Sequence, residues 1–290
     1  MFFDSLFSIG AGLLLAACAS LAAAQNPPAP VLTAKAWLLL DMSSGQVLAS
    51  QNPAERIEPA SLTKLMTAYL AFSALKAKTI TQEQVVPVSE KAWKAIGSRM
   101  FIEPRKPVTV AELLRGMIVQ SGNDACVALA ELISGSEESF AAAMNREAQR
   151  LGLTATSFRN STGLPDPQHF TTADDLALLA TAIIRDFPEF YALYSQKDYS
   201  YNGITQSNRN RLLWMDPNVD GMKTGFTEAA GYCLISSAKR GPRRLLSVVL
   251  GAQSESARAT ESQKLLNFGF LNYDAVRLYQ KGSSVSSVTF

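Results

Sequence analysis

Residues 61–76, which read SLTKLMTAYLAFSALK, restrict the fold more than any other part of the chain. They have the composition of a helix, and apolar residues occupy nearly every side of it. A helix without a polar face must be covered by other elements all round. The sequence therefore predicts a central, buried helix. Lys64 lies near its start among apolar neighbours, and burying a lysine is costly unless the charge is neutralised or used.

The segments around this helix predict the rest of the architecture. The predicted strands are residues 35–53 (a hairpin), 219–227, 231–240 and 243–252. Helical patterns dominate residues 89–186, and a last helix is expected over residues 256–273. Strands at both ends of the chain with helices between them predict an α+β fold, in which one antiparallel sheet is built from distant segments and a helical insertion faces it. The cleft between the two is the expected binding site.

The composition suits one sizeable globular domain preceded by an export signal. Hydrophobic residues make up 47% of the 290 residues. Residues 1–24 contain an apolar run that ends in Ala22 and Ala24, which predicts a secretory signal peptide and an exported protein. Residues 15–18 also resemble a lipoprotein cleavage box, so lipidation of Cys18 is the alternative to simple cleavage.

Charge and cysteine content argue against several kinds of partner. The net charge is +2 and the basic residues are scattered, which gives no reason to expect nucleic acid. After residue 24, no apolar run reaches the ~20 residues of a membrane span. Cys126 and Cys233 lie in apolar stretches and are expected to be buried free thiols, so neither a metal site nor a cofactor is predicted.

Ser61 and Lys64 are the first candidates for catalysis. They are three residues apart, so their side chains lie on one face of a helix within reach of each other. Ser73 and Ser236 are also followed by a lysine three residues later. However, Ser73 comes late in its helix and Ser236 lies in a predicted strand. Only Ser61 stands in a first helical turn, where free N–H groups and the helix dipole meet its hydroxyl. The one histidine, His169, lies in a loop and is expected at the surface rather than at the catalytic centre.

Two further motifs follow. Ser121–Asn123 (SGN) lies in a predicted turn between helices, and Lys223–Gly225 (KTG) lies on a predicted strand. S-x-N also occurs at Ser200–Asn202, whereas K-T-G occurs once, so the order and spacing of the three motifs matter more than each alone. A phosphate-binding loop is not indicated, because Met222 separates the lysine from Gly221 and no helix follows.

In order, ASLTK, SGN and KTG resemble the motifs of the penicillin-binding, active-site-serine peptidases. The surrounding sequence is similar to that of the low-molecular-mass D-alanyl-D-alanine carboxypeptidases over about residues 33–272. The segments that carry this similarity are SGNDACVALAE, NSTGL, NRNRLLW and VDGMKTGFTEAAGYCL. The resemblance implies a five-stranded antiparallel sheet of the β-lactamase/transpeptidase type. It also implies a signal peptide at 1–24, a serine peptidase domain at 25–272, and a stub or start of a β-rich second domain at 273–290.

The same resemblance implies the catalytic roles. Ser61 is the expected nucleophile and Lys64 its general base, with a pKa lowered by burial, by the helix N-terminus and by the second cation Lys223. Ser121 is expected to relay a proton to the leaving D-alanine. Asn123 is expected to hold Lys64 and the substrate amide.

The remaining implied roles concern the substrate. The backbone N–H groups of Ser61 and Phe226 are the expected oxyanion hole. Phe226 itself is a departure, because this position is often a histidine in the family. Substrate binding, chiefly of the free carboxylate, is expected from Lys223, Thr224, Gly225 and Arg209. Arg258 is a weaker candidate.

Several rivals differ in substrate or chemistry. A class A β-lactamase needs a glutamate from an E-x-x-L-N stretch, and none occurs between Ser121 and Lys223. A D,D-endopeptidase acting on cross-linked muropeptides is closer to this sequence. A non-catalytic β-lactam sensor is disfavoured, because a pure binder has no need of a lysine with a lowered pKa.

The expected partners are the peptidoglycan pentapeptide as substrate and β-lactam antibiotics as covalent inhibitors. The expected location is the bacterial periplasm or the outer face of the inner membrane. Residues 273–290 have no amphipathic helical pattern. Membrane association is therefore expected only if a C-terminal helix beyond Phe290 or a lipidated Cys18 provides it.

Overall fold

A single antiparallel sheet of five strands organises the molecule. The computed structural model describes residues 27–276 and Tyr279. Its strands are β1 (Ala36–Asp41), β2 (Gln46–Gln51), β3 (Val85–Val86), β4 (Val108–Thr109), β5 (Asp198–Tyr201), β6 (Ile204–Ser207), β7 (Val219–Thr227), β8 (Gly231–Arg240) and β9 (Arg243–Ala252). The main sheet has the order β2-β1-β9-β8-β7. The predicted five-stranded antiparallel sheet is confirmed, and β7, which carries K-T-G, forms one of its edges.

Helices cover both faces of this sheet. The α-helices are α1 (Lys64–Lys76), α2 (Glu90–Trp93), α3 (Val110–Val119), α4 (Asn123–Ser134), α5 (Glu137–Leu151), α6 (Ala173–Asp186), α7 (Pro188–Tyr191), α8 (Leu212–Met215) and α9 (Glu255–Asn272). Two short 3₁₀ helices span Ala60–Thr63 and Ala192–Ser195. On one face, α9 packs against β1, β8 and β9, while α1 and α6 lie in the core on the other face.

Helix α1 is central, as its apolar composition predicted. Most of its residues are buried, and it contacts α3, α4, α5 and α6. The predicted single helix over residues 61–76 is divided in two, since Ala60–Thr63 winds as a tighter 3₁₀ turn and the α-helix begins at Lys64. This division puts Ser61 in the 3₁₀ turn and Lys64 at the first α-helical position.

Local sequence explains the ends of several elements. In the β1–β2 hairpin, the Asp41 carboxylate accepts hydrogen bonds from the N–H of Ser43 at 2.8 Å and of Ser44 at 3.3 Å, and Gly45 takes a positive φ of 75°. Helix α3 begins with a capping box between Thr109 and Glu112. It ends at Val119, so Ser121 and Gly122 of the SGN motif lie in the turn before α4 and Asn123 is the first residue of that helix.

One hairpin was not predicted. Strands β5 and β6 pair through a two-residue turn at Asn202 and Gly203, with φ of 52° and 77°. Asn-Gly is the preferred pair for such a turn because both residues must take positive φ. The dipeptide was therefore the signal that indicates this hairpin.

Part of the predicted organisation lies outside the described residues. This applies to the signal peptide at 1–24, to Cys18 and to most of residues 273–290. Within residues 27–276, every helix is too short or too polar to cross a lipid bilayer.

Candidate active site

Three segments that are distant in the sequence meet at one cleft. They are the 3₁₀ turn before α1, the turn between α3 and α4, and strand β7, which packs on the 3₁₀ turn. The cleft has a volume of about 410 Å³. Of the residues proposed from sequence, those lining it are Ser61, Ser121, Asn123, Arg209, Thr224, Gly225, Phe226 and Arg258. Lys64 and Lys223 are buried, at 2% and 3% exposure, and reach the lining residues through hydrogen bonds.

The Lys64 amine makes three short contacts. Its Nζ lies 3.0 Å from Ser61 Oγ, 2.7 Å from Asn123 Oδ1 and 2.6 Å from the Thr162 carbonyl oxygen. A protonated lysine has three N–H groups, so these acceptors satisfy it. A neutral amine has two N–H groups for Asn123 and Thr162, which leaves its lone pair directed at the Ser61 hydroxyl. The geometry therefore allows neutral Lys64 to accept the Ser61 proton.

Burial is the main cause of the altered lysine chemistry. The pKa of Lys64 is lowered from its ordinary 10.5 to about 8, chiefly by burial and also by the Arg209 cation, while Cys126 and Asp124 act in the opposite direction. The pKa of Lys223 is also well below its usual range, first because of burial and next because of repulsion from Lys64. The repulsion between the two lysines therefore appears in the pKa of Lys223. The predicted lowering of the Lys64 pKa by Lys223 is not among the causes found, and the cation that lowers it is Arg209.

Ser121 lies against the second lysine. Lys223 Nζ donates to Ser121 Oγ at 2.9 Å and to the Thr224 carbonyl at 3.1 Å. Ser121 has a φ of 62°, which is uncommon for a residue with a side chain. The turn is fixed on both sides, because the Gly122 N–H donates to the Gly116 carbonyl at 3.0 Å and the Asn123 N–H to the Ser98 carbonyl at 2.6 Å.

The backbone just before Ser61 is also in an unusual conformation. Ala60 has a φ of 48° and is almost completely buried. Gly163 packs directly against it, and a Cβ at residue 163 would overlap the Ala60 carbonyl oxygen. At Gly225, a Cβ would lie 3.2 Å from the Pro59 carbonyl oxygen. Both glycines therefore allow the close approach that holds the Ser61 turn.

The rim of the cleft carries the proposed substrate-binding groups. Thr224 is 5% exposed, whereas Arg209 and Phe226 are exposed. The buried Arg258 pairs with Glu255 at 2.8 Å and donates to the Gly225 carbonyl at 3.4 Å. Ser61 and Phe226 line the same cleft, and the role of their N–H groups in an oxyanion hole stays a prediction.

His169 is not at the surface, so that prediction is wrong. The ring is 2% exposed, its Nε2 lies 3.0 Å from Thr63 Oγ1, and its edge meets Phe158. Burial lowers its pKa to about 4. It does not line the cleft, and its partner Thr63 fixes it to the turn that carries Ser61. The local sequence does not indicate this burial, because it arises from tertiary contacts with Thr63 and Phe158.

Two contributors to the site were not predicted. Thr162 contributes a backbone carbonyl, which has no sequence signature of its own. Asp124 is fully buried and accepts from the N–H groups of Met100, Phe101 and Ile102 at 3.0, 2.8 and 3.2 Å. This carboxylate fixes the segment that directly follows Gly97 and Ser98, which line the cleft. The feature of the sequence that could have pointed to Asp124 is its position directly after the S-x-N motif.

The cysteines agree with the sequence prediction. Cys126 and Cys233 are buried free thiols. In the part of the chain that the structure describes, no three His, Cys, Asp or Glu side chains come close enough together to hold a metal ion.

Comparison with known proteins gives the class of the fold first. The crystal structure of penicillin-binding protein 6B from Escherichia coli matches with a TM-score of 0.86 at 44% identity, covering 90% of this chain and 84% of that one. Penicillin-binding protein D2 from Listeria monocytogenes, in its ampicillin-bound form, matches with a TM-score of 0.77 at 30% identity, covering 84% and 100%. The fold is that of the penicillin-recognising serine peptidases.

Sequence comparison then gives the family. Residues 22–254 match the peptidase S11 family, D-alanyl-D-alanine carboxypeptidase. The chain is 50% identical over 272 residues to the D-alanyl-D-alanine carboxypeptidase DacC of Escherichia coli K12, which covers 91% of this chain and 68% of that protein. The chain belongs to the D-alanyl-D-alanine carboxypeptidase family of serine peptidases.

Proposed function

We propose that this protein is a serine D-alanyl-D-alanine carboxypeptidase that removes the terminal D-alanine from peptidoglycan pentapeptide stems. The observation that carries the proposal is the 3.0 Å contact between Lys64 Nζ and Ser61 Oγ, made by a lysine whose pKa is lowered to about 8. A lysine of this kind serves as a general base near neutral pH.

Acylation begins with the substrate carbonyl between the two D-alanines. Neutral Lys64 accepts the Ser61 proton while Oγ attacks the carbonyl carbon. The N–H groups of Ser61 and Phe226 stabilise the oxyanion that forms. The terminal carboxylate binds the Thr224 hydroxyl, the Lys223 ammonium and, on the rim, Arg209.

The leaving group departs when the C–N bond breaks. The proton that Lys64 took from Ser61 passes to this nitrogen through the Ser121 hydroxyl, which Lys223 contacts at 2.9 Å, so Lys64 is neutral again. Free D-alanine then leaves, and a water molecule enters the space beside Ser121. Lys64 accepts a proton from this water as it attacks the ester, which releases the shortened peptide and restores Ser61.

β-Lactams acylate the same serine, a proposal supported by the ampicillin-bound form of the Listeria relative. Among the described residues that line the cleft, the one carboxylate is Glu255, and it pairs with Arg258 at 2.8 Å. Within this described lining, no carboxylate is therefore left to activate water against a bulky penicilloyl ester. We expect slow release of that adduct, unlike the rapid hydrolysis in a class A β-lactamase.

The proposal includes a location and a domain organisation. The mature enzyme acts in the bacterial periplasm or at the outer face of the inner membrane, after removal of residues 1–24. Residues 25–272 form the peptidase domain. Support comes from the apolar N-terminal run in the sequence and from the bacterial enzymes among the relatives.

The test is intact mass spectrometry on the purified protein. After penicillin is added, a single adduct should form and last minutes or longer, while diacetyl-Lys-D-Ala-D-Ala should turn over on the order of once per second. Ser61→Ala should lose both reactions, and Ser73→Ala, which alters the second S-x-x-K serine, should retain both. Penicillin hydrolysis as fast as peptide hydrolysis would reclassify the protein as a β-lactamase. Labelling of Ser61→Ala would overturn the assignment of the nucleophile.

A further inference from the structure

An aromatic pair stands at the rim of the cleft. Phe226 directly follows K-T-G and is 50% exposed. Its ring centroid lies 4.4 Å from that of Tyr232, with 35° between the planes, and the two residues are partners in the β7–β8 register. Both line the cleft. The pair is thus an accessible apolar surface in a cleft lined otherwise mainly by polar residues.

The pair lies next to the groups proposed to bind the terminal carboxylate. Thr224 and Phe226 are two residues apart on a strand, so their side chains face the same side of the sheet. The Arg258 guanidinium lies 5.6 Å from the Tyr232 ring centroid and donates to the carbonyl of Gly225 at 3.4 Å. A residue whose carboxylate is held by Thr224 therefore has its own side chain near the aromatic pair.

We infer that Phe226 and Tyr232 form an apolar subsite for the side chain of the C-terminal D-amino acid that is released. The inference rests on the proposed carboxypeptidase activity and adds a specificity determinant to it. A phenyl ring carries no charge and donates no hydrogen bond, so it does not assist the carboxylate. Its contribution is contact with alkyl groups, which takes apolar surface of the leaving residue out of water.

The expected size of the effect follows from the area buried. Each methylene that is removed from water on binding is worth about fourfold in an equilibrium or rate constant. A subsite that contacts the leaving side chain should therefore favour D-alanine over glycine. It should favour unbranched longer side chains further, until the space beside the ring is filled.

The experiment is a leaving-residue series on the full chain. The substrates are diacetyl-Lys-D-Ala-X, where X is glycine, D-alanine, D-2-aminobutyrate or D-norvaline, and kcat/KM is measured for each. In the unaltered protein, kcat/KM should rise two- to fourfold per added carbon over the first steps. In Phe226→Ala the rise should fall to less than half of this on a logarithmic scale. Phe226→His should lie between the two.

A matched control separates the subsite from general effects of removing an exposed ring. Trp214 is 49% exposed and does not line the cleft, so Trp214→Ala should keep the full dependence on X. Folding of the Phe226 variants is checked by penicillin labelling of Ser61, since substitution leaves the residue 226 N–H in place. Equal slopes in the unaltered protein and Phe226→Ala, or no dependence on X in either, would overturn the inference.

The same series distinguishes failure of the subsite from failure of the proposed function. If D-alanine is released normally but the side chain of X has no effect, only the subsite is wrong. If none of the four residues is released by a protein that penicillin labels, the carboxypeptidase proposal itself is wrong.

Discussion

The base and the rim of the cleft are built in opposite ways. At the base, Lys64 and Lys223 are at most 3% exposed, and Lys64 Nζ has a protein acceptor for each of its three N–H groups. At the rim, Arg209 and Phe226 are exposed. The base is organised before substrate arrives, whereas the rim has surface left for the substrate to cover.

The base of the cleft therefore determines the rate of proton transfer, and the rim determines which ligands are recognised. Burial lowers the pKa of Lys64, and the fixed acceptors Asn123 and Thr162 orient its amine, so the base supplies the proton transfer. Groups on the rim are free to contact bound ligand and to discriminate among ligands. Substitutions at the base should therefore lower the rate of acylation steeply, and substitutions at the rim should change affinity or selectivity modestly.

The largest effect is expected from Lys64→Arg. A guanidinium stays protonated at any usable pH, so it cannot take the Ser61 proton. We therefore expect kcat/KM for diacetyl-Lys-D-Ala-D-Ala and the rate of penicillin acylation to fall by about 10³-fold or more. Stopped-flow acylation and steady-state turnover measure both.

The control is Lys76→Arg, in the second S-x-x-K match. Lys76 Nζ donates to the Asp186 carbonyl at 2.8 Å, and that contact is exposed. This variant should behave like the unaltered protein. Acylation of Lys64→Arg within tenfold of the normal rate would remove Lys64 from the role of base.

The second effect is a pH dependence of acylation. Lys64 must be neutral to act, and its pKa is lowered to about 8, so log kcat/KM should rise with a slope near one up to about pH 8 and level off above it. The loss at lower pH is then about tenfold per unit. A profile flat from pH 6 to pH 9 would contradict a lysine base. Any fall at alkaline pH belongs to the coupled lysine pair, since Lys64 also lowers the pKa of Lys223.

Much of the fold and most residues at the base of the cleft could be predicted from the sequence. The three last strands of the main sheet have the bounds that their residue patterns predicted, because apolar runs ended by turn residues mark strands. Ser61, Lys64 and the SGN and KTG motifs were also found, since their chemistry depends on side chains at fixed spacing. Ser121 and Gly122 lie in the predicted turn between α3 and α4, and Asn123 begins α4.

The rest could not be predicted for physical reasons. The Thr162 carbonyl belongs to a backbone group that every residue has. The need for glycine at residue 163 arises only when its loop packs on Ala60. The place of Arg258 at the cleft depends on how α9 crosses the sheet. Each of these is a tertiary contact between segments far apart in the chain, and the local residue pattern of either segment does not predict it.

The third prediction concerns Arg209, the cation on the rim. Arg209→Ala should raise KM for diacetyl-Lys-D-Ala-D-Ala about tenfold, the size expected for losing one charge-assisted hydrogen bond at an accessible site, and should change kcat little. Arg209 also lowers the pKa of Lys64. Its removal should therefore raise that pKa and shift the acid limb of the pH profile, the part in which log kcat/KM rises with pH, to higher pH.

Arg209→Lys is the matched variant, because it keeps the charge and loses the planar guanidinium. It should leave the acid limb in place while still raising KM. An unchanged KM in Arg209→Ala would exclude this residue from substrate binding. An unchanged limb would show that the charge of Arg209 does not reach Lys64.

The smallest effect on activity is expected at His169, which is as buried as the two lysines but lies outside the cleft. Burial lowers its pKa from 6.5 to about 4, so the folded protein keeps the ring neutral while the unfolded chain protonates it. Stability should therefore fall as pH drops from 6.5 towards 4, by about 3 kcal/mol at pH 4 from this residue alone. The charges near the ring, Asp166 and Arg159, act in opposite directions.

His169→Gln isolates the contribution of His169 to the loss of stability at low pH, because glutamine does not titrate and retains a polar partner for Thr63. Urea unfolding from pH 7 to pH 4 should show a weaker loss of stability in the variant than in the unaltered protein, while D-alanine release at pH 8 stays within about twofold. Equal acid sensitivity in both proteins would mean that His169 is protonated in the folded state. A steep loss of activity at pH 8, with folding intact, would place His169 in the catalytic machinery. Burial alone lowers a pKa, and only a lone pair directed at a nucleophile converts that into catalysis. That is the difference between His169 and Lys64.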